Sequence, residues 1–238
     1  DTSRGGALRL RSNSTGAEEN QTDRFTSIDT DGFTITGSDS DTNANSNTYV
    51  AWGWKANGGT TSSNSDGSIT STVQANTTAG FSIVTYTGSG SAGSFGHGLT
   101  SPKIVLIKDR DNSNSWYFHT TAIDGSDDYV YLDQTTGKAN AGSGYTIGTS
   151  VYNMGGAGSV TNLSSTNYVA YCFAEVEGYS KIGSYIANNS SSDNAFVYTG
   201  FRPAFVLIKG IQTGINQEWV IMDNKKSSSG GGNPIDSG

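Results

Sequence analysis

The chain carries the stretch PKIVLIK at residues 102–108 and repeats it as PAFVLIK at residues 203–209. The copies differ only at their second and third positions. Each copy is a continuous apolar run, which is typical of a strand covered on both faces in the middle of a sandwich. A polar loop and a tryptophan strand follow each copy, SWYF in the first and EWVI in the second. The chain therefore contains an internal duplication of β-strands.

The duplication extends on both sides of these stretches, with the order of elements kept. The matched pairs are DGFTITG at 31–37 with SGYTIGT at 143–149, YVAWGWK at 49–55 with YVAYCFA at 168–174, and GFSIVTYTG at 80–88 with GYSKIGSYI at 178–186. The first copy also carries a polar insertion at residues 58–78, which we expect in a surface loop. In the YVA strands, aromatic residues alternate with small ones, so we expect the aromatic stripe to be core.

Composition favours an all-β fold. Hydrophobic residues make up 33% of the chain and charged residues 15%, and the apolar segments are short, rich in β-branched and aromatic residues, and bounded by Gly, Asn, Asp or Ser. We predict two tandem antiparallel β-sandwich, jelly-roll-like units. The predicted parts are a connecting segment (1–24), unit 1 (25–128), unit 2 (129–226) and a Gly/Ser-rich linker (227–238). The sequence leaves open whether the units are separate or exchange strands.

Charge and hydropathy exclude some partners. The formal net charge is −7, with 14 basic against 21 acidic residues, and no basic stripe that would favour nucleic acid. No apolar run approaches the roughly twenty residues that a membrane helix needs. The chain begins at Asp1 rather than at an initiator methionine, so we expect a segment of a longer protein.

Candidate catalytic residues are few. Glu175 and Glu177 alternate on one strand, as the acids of some sandwich glycosidases do, but the first copy has Ala56 and Gly58 at the matching places. His97 lies in a Gly-flanked turn without a counterpart in the second copy. The single cysteine, Cys172, is predicted to be a small packed residue. We expect no enzymatic activity, and a glycosidase or depolymerase is the third-ranked hypothesis.

Two acidic loops could bind calcium. The first presents Asp39 and Asp41, and the second presents Asp109 and Asp111, with oxygen ligands at alternating positions. Neither loop has the central glycine or the closing glutamate of an EF-hand. The alternative is that these side chains satisfy their own backbone without metal. No other cofactor is expected.

Several stretches resemble a family of repeat-bearing virion proteins of tailed phages, especially marine ones. The resemblance spans roughly residues 25–224 and rests on GFSIVTYTGSGSAG, GHGL, PKIVLIK, YVAYCFAEVEGYSKIGSY and FVYTGFRPAFVLIK. In that family such repeats often follow a concanavalin-like, laminin-G-like segment, which is not evident here. The resemblance implies a role in the phage particle and transfers no catalytic residues.

The resemblance implies a non-enzymatic structural protein in a tail or head fibre or appendage, located in the virion. Its expected partners are further copies of itself, other virion proteins and host-surface glycans. Trp116, Tyr152 and Tyr198 are the candidate sugar-stacking residues. The alternative from a different class is a secreted carbohydrate-binding β-sandwich module.

Overall fold

The computed structural model describes residues 1–156, 159–189 and 195–224. Within these residues the chain is all-β, without helices, and every pair of neighbouring strands is antiparallel, which confirms the predicted fold class. The strands are β1 (Leu8–Arg9), β2 (Glu19–Asn20), β3 (Phe25–Ile28), β4 (Phe33–Ile35), β5 (Ser62–Asn64), β6 (Ser71–Asn76), β7 (Phe81–Thr87), β8 (Gly93–Gly96), β9 (Ile104–Asp109), β10 (Tyr117–Thr120), β11 (Asp128–Tyr131), β12 (Ala139–Asn140), β13 (Thr146–Ile147), β14 (Val151–Met154), β15 (Asn167–Phe173), β16 (Phe205–Lys209) and β17 (Trp219–Asp223).

An eight-stranded sheet forms the centre of the molecule, in the order β12-β11-β10-β9-β15-β7-β6-β5. The PKIVLIK stretch forms β9, and its apolar run is explained by its interior place between β10 and β15. Val105 and Ile107 point to one face and are buried, while Lys108 on the opposite face is buried as well. The prediction that this strand is covered on both faces is confirmed.

The large sheet is covered on both faces by different elements. A three-stranded sheet, β13-β14-β8, packs on the first face, where Phe95 and Tyr152 meet Ala170 and Cys172 of β15. The buried Cys172 is the small packed residue that the sequence predicted. On the second face, Val169 packs in a separate cluster with residues of β7 and of the N-terminal segment. Two packed sheets thus form the sandwich, and further chain covers its outer face.

Strands from both predicted units share the large sheet. β15, which belongs to predicted unit 2, lies between β9 and β7 of unit 1, and the boundary predicted between residues 128 and 129 falls inside β11. Residues 1–24, predicted to connect, contain β1 and β2. The large sheet therefore combines strands of both predicted units, whereas β16 and β17 pair only with each other among the described residues. The predicted linker, 227–238, lies outside the described residues.

The other copies of the repeated stretches have different surroundings. PAFVLIK forms β16, which pairs only with β17 among the described residues, and Leu207 is 38% exposed. YVAWGWK at 49–55 forms no strand, and its aromatic side chains are exposed rather than core. The insertion at 58–78, expected to be a loop, contains all of β5 and β6, because Val73 of β6 packs into the core.

Candidate functional site: a repeated joint between units

A lysine and a tryptophan connect the large sheet to the N-terminal segment. Lys108 donates from Nζ to the carbonyl oxygens of Thr15 (2.9 Å) and Asn114 (2.8 Å). The indole Nε1 of Trp116 donates to the carbonyl oxygen of Arg11 at 2.7 Å. Together, these two side chains hold the strip at residues 11–15 against the end of β9 and the start of β10.

The equivalent lysine and tryptophan of the second copy make the same contacts with a different segment. Lys209 donates from Nζ to the carbonyl oxygens of Thr135 (2.8 Å) and Gln217. The indole of Trp219 donates to the carbonyl oxygen of Tyr131 at 3.0 Å. In both cases the tryptophan's acceptor precedes the segment's lysine acceptor by four residues, at 11 and 15 and at 131 and 135.

A main-chain hydrogen bond is repeated in the same way. The amide of Glu18 donates to the carbonyl oxygen of Arg110 at 2.8 Å, and the amide of Lys138 donates to that of Ile211 at 2.9 Å. Gly137 permits the close approach in the second case, because a Cβ atom there would lie 2.3 Å from the carbonyl oxygen of Gln212. We call this set of lysine, tryptophan and main-chain contacts the joint. It occurs twice: the first joint attaches the N-terminal segment to the large sheet, and the second attaches the β16–β17 hairpin to the end of β11 and the segment that follows it.

The first joint is also an ionic network. Glu18 accepts hydrogen bonds from Arg4 and, at 2.7 and 3.0 Å, from Arg110. The guanidinium of Arg4 also pairs with the carboxylate of Asp1 at 2.6 Å, and the hydroxyl of Tyr171 donates to this Asp1 carboxylate. Burial acts to raise the pKa of Glu18, but the two arginines outweigh burial and hold that pKa below its usual value. The N-terminal segment is therefore fixed to the sheet by buried charge.

The second joint has different charges. Lys138 stands where the first joint has Glu18, and its ammonium pairs with Asp124 (2.5 Å) and Asp128 (2.6 Å) of its own unit. Its partners therefore lie in the loop before β11 and at the start of that strand rather than across the joint. The lysine and tryptophan contacts are common to both joints, whereas the ionic network belongs to the first.

Two of the three predicted sugar-stacking residues are corrected by the structure. Trp116 is 4% exposed, because its ring stacks on Tyr171 and its N–H is used in the joint. Tyr152 is fully buried between the two sheets, against Phe95. Neither ring has a free face for a sugar. Tyr198 is 78% exposed and stays a candidate.

The predicted calcium ligands are engaged with protein donors. Asp109 is buried and accepts from the amides of Asp111 and Asn112 and from the side chains of Asn112 and Asn114. Asp111 in turn accepts from the amide and side chain of Asn167. This loop is therefore closed by hydrogen bonds of its own, as the alternative interpretation holds.

The other acidic loop is paired with arginine. Arg24 contacts Asp39 at 3.0 Å and Asp41 at 3.4 Å, and Asp39 accepts from the amide of Asp41. Across the described part of the chain, no three His, Cys, Asp or Glu residues are grouped as metal ligands would be. The carboxylates of both acidic loops therefore have protein partners in the structure.

Of the residues that suggested catalysis, Glu175 and His97 have structural partners, and Glu177 is exposed. Glu175 pairs with Lys181 at 3.0 Å and accepts from the amide of Ile182. Burial acts to raise the pKa of Glu175, but these two donors outweigh burial and lower it. His97 is buried and accepts from the amide of Leu99 through Nδ1, as its predicted turn role requires.

A buried set of polar contacts escaped the sequence analysis. His119 of β10 contacts the hydroxyl of Tyr152 through Nδ1 at 2.9 Å and a carboxylate oxygen of Asp127 through Nε2 at 3.1 Å. Burial lowers the pKa of His119 to about 4. Both rings are fully buried, and the contact between His119 and Tyr152 links the two sheets. Sequence spacing could not reveal this contact, since 33 residues separate His119 from Tyr152.

The fold and the two joints define an all-β protein in which both copies of the repeated lysine and tryptophan make the same kind of polar contact. The chain belongs to a family described as a domain of unknown function, DUF7483, whose sequence profile matches residues 1–235. That match spans both copies of the repeat. No curated protein and no solved structure matches the chain.

Proposed function

We propose that this protein is a non-enzymatic structural component of a tailed-phage virion, in a tail or head fibre or appendage. The observation that carries the proposal is the joint, because the lysine and tryptophan of both repeat copies make the same contacts with a neighbouring segment. Contacts that recur with a sequence repeat are typical of proteins that stack repeated elements into a regular array. The resemblance of the repeats to virion proteins is the reason for placing this array in a phage particle.

The surroundings of the polar residues support a role without catalysis. The glutamates and histidines either have structural partners or, like Glu177, are exposed. Two surface concavities are lined largely by Gly, Ala, Asn and Thr residues and contain neither histidine nor a carboxylate. No helix within the described residues is long and apolar enough to cross a bilayer. Such surfaces suit assembly rather than turnover of a substrate.

The virion role is tested on purified particles. Density-purified particles from cultures that carry the gene are expected to contain the protein in stoichiometric amount by mass spectrometry, with antibody labelling on a tail or head appendage. A non-structural protein released by the same lysis serves as the control for contamination. Presence of this protein only in the soluble fraction would contradict the proposal.

A carbohydrate-binding module is the second candidate, and exposed aromatic rings favour it. Phe196 and Tyr198 are 87% and 78% exposed and alternate along the chain, so a sugar could stack on them. If the protein binds glycans there, Tyr198→Ala should weaken binding on a glycan array about tenfold or more. Tyr179→Ala, which changes another exposed tyrosine, is the matched control. Absence of glycan binding by the parent protein would eliminate this candidate.

A further inference from the structure

The β16–β17 hairpin carries the sequence of β9 and β10 but has fewer neighbours. In the large sheet, β9 pairs with β10 on one edge and with β15 on the other, with Leu106 opposite Tyr171. β16 pairs with β17 only, as far as the structure is described. Its second edge is the place that β15 takes in the complete unit. An isolated two-stranded hairpin is marginally stable, and a free edge is a template for another strand.

A segment with the β15 sequence exists elsewhere in the chain and is not in a sheet. Residues 49–54 read YVAWGW, matching YVAYCF of β15, and form no strand. Trp52 and Trp54 are 40% and 48% exposed. Transferring the β9–β15 register places Trp52 opposite Leu207 and Trp54 opposite Phe205. The chain therefore carries both members of a strand pair whose complete version it also contains.

The faces of the hairpin also lack the cover that β9 and β10 have in the large sheet. Val105 and Ile107 of β9 are buried beneath the three-stranded sheet, whereas the equivalent side chains of β16 are partly exposed and Val220 of β17 is 43% exposed. Part of that cover comes from Tyr145, just before β13, whose ring lies 5.9 Å from that of Tyr117, the residue equivalent to Val220. The sequence equivalent of Tyr145 is Phe33 of β4, which is 51% exposed. Residues 25–55 thus contain both a segment that fits the free edge of β16 and a strand, β4, that fits the exposed face of the hairpin.

Within one chain, these two parts are held over different strands of the large sheet. Residues 49–56 are fixed near β6 and β7, because Ala56 packs in the second cluster and the side chain of Asn76 donates to the carbonyl of Lys55. The hairpin is fixed over β10 and β11 by the joint and by Trp219, whose ring lies 5.1 Å from that of Phe118. The ring of Trp54 lies 6.3 Å from that of Phe173 of β15. Along β16, the rings of Trp52 and Trp54 contact only the first residue, Phe205, at 5.7 and 5.9 Å between ring centroids, and the two parts form no strand pair among the described residues.

We propose that a second copy of this chain completes the hairpin: its residues 49–54 add to the free edge of β16 in the β15 register, and its β3–β4 region covers the hairpin's exposed face. The contact is head-to-tail, so each copy offers one half-unit and receives the other, and the assembly extends as a filament. This interface deepens the proposed structural role by naming the partner and the surfaces of the homo-oligomer.

The interface is tested by two variants of the full chain. Leu207→Glu places a carboxylate opposite Trp52 of the neighbour, and Trp52→Ser/Trp54→Ser removes the aromatic side chains of the added strand. The matched control is Val160→Glu, since Val160 is 39% exposed and lies in the complete unit, away from both surfaces. Sedimentation velocity over roughly a hundredfold range of concentration measures association. Thermal unfolding of each variant checks that the complete sheet is intact.

The parent chain and Val160→Glu are expected to associate with increasing concentration, whereas each of the other variants stays monomeric. An equimolar mixture of these two variants should form dimers and nothing longer, because the intact hairpin of one fits the intact segment of the other. A parent chain that is monomeric throughout, association that survives both changes, or a mixture that stays monomeric would overturn the proposal. Particle composition is measured in a separate experiment. A negative result there would contradict the virion role without contradicting this interface, and loss of the interface would leave the virion role untouched.

Discussion

Replacing Lys108 with methionine is expected to lower the free energy of unfolding by about 3 kcal/mol. The ammonium group is fully buried and donates to three carbonyl oxygens, those of Thr15, Asp109 and Asn114. Methionine fills much of the same volume but leaves these acceptors without their donor, and buried acceptors are costly to leave unpaired. Removal of a buried charge offsets part of that cost, which keeps the expected loss below the sum of three strong hydrogen bonds.

Lys209→Met is the matched control, because Lys209 makes the same contacts in the second joint but is partly exposed. Water can replace its hydrogen bonds, so the expected loss is about 1 kcal/mol or less. Urea unfolding measures both values, and hydrogen exchange at the Glu18 amide reports whether the first joint has opened. Equal losses in the two variants would show that burial of the joint does not determine its strength.

Local pattern predicted several strands of the complete unit, although β5 and β6 were expected to be a loop. The apolar run of β9 and the alternation in β15 follow directly from burial on two faces, and Ala170 and Cys172 lie opposite Val169 in the structure, as the period of two requires. The all-β antiparallel class followed from the same residues. These features depend on residues close in sequence or on the burial of a whole strand, and both can be recognised from the local pattern of apolar residues.

Pairing between distant strands could not be predicted in the same way. YVAWGWK and YVAYCFA look alike, yet only the second enters the large sheet, because the choice of neighbour for β9 is made by long-range packing. The first joint was equally hidden, since its acceptors are main-chain carbonyls of Arg11 and Thr15, which any residue type supplies. A repeat search that ignored side chains at those positions would have aligned them with Tyr131 and Thr135.

The candidate site residues show the same limit. An aromatic residue suits a sugar-binding surface and a sandwich core equally well, and Trp116 and Tyr152 are in the core. Asp109 was recognised as a loop ligand, but the choice between calcium and amide donors depends on which groups the fold brings near, here Asn112 and Asn114. The residue type limits the kinds of contact that a side chain can make, and tertiary packing determines which of those contacts forms.

Acidification from pH 7 to pH 5 is expected to remove about 2 kcal/mol of unfolding free energy through His119. The unfolded chain binds the proton at the ordinary pKa of 6.5, whereas burial lowers the folded pKa to about 4. Stability from this group is therefore complete above pH 6.5 and decreases as the pH falls towards 4. Glu18, whose pKa is lowered from 4.5, begins to lose its contribution only at the acid end of this range.

The variant His119→Gln separates this titration from the rest, because an amide can hydrogen-bond to both Tyr152 and Asp127 without taking up a proton. It should be less stable at pH 7 but should lose much less stability between pH 7 and pH 5, as measured by urea unfolding at each pH. His97→Gln is the control: the pKa of His97 is also lowered by burial, so a weaker slope of the same sign belongs to it. If the parent slope persists in His119→Gln and disappears in His97→Gln, the link between the two sheets is not the acid-sensitive element, and the turn before β9 takes that role.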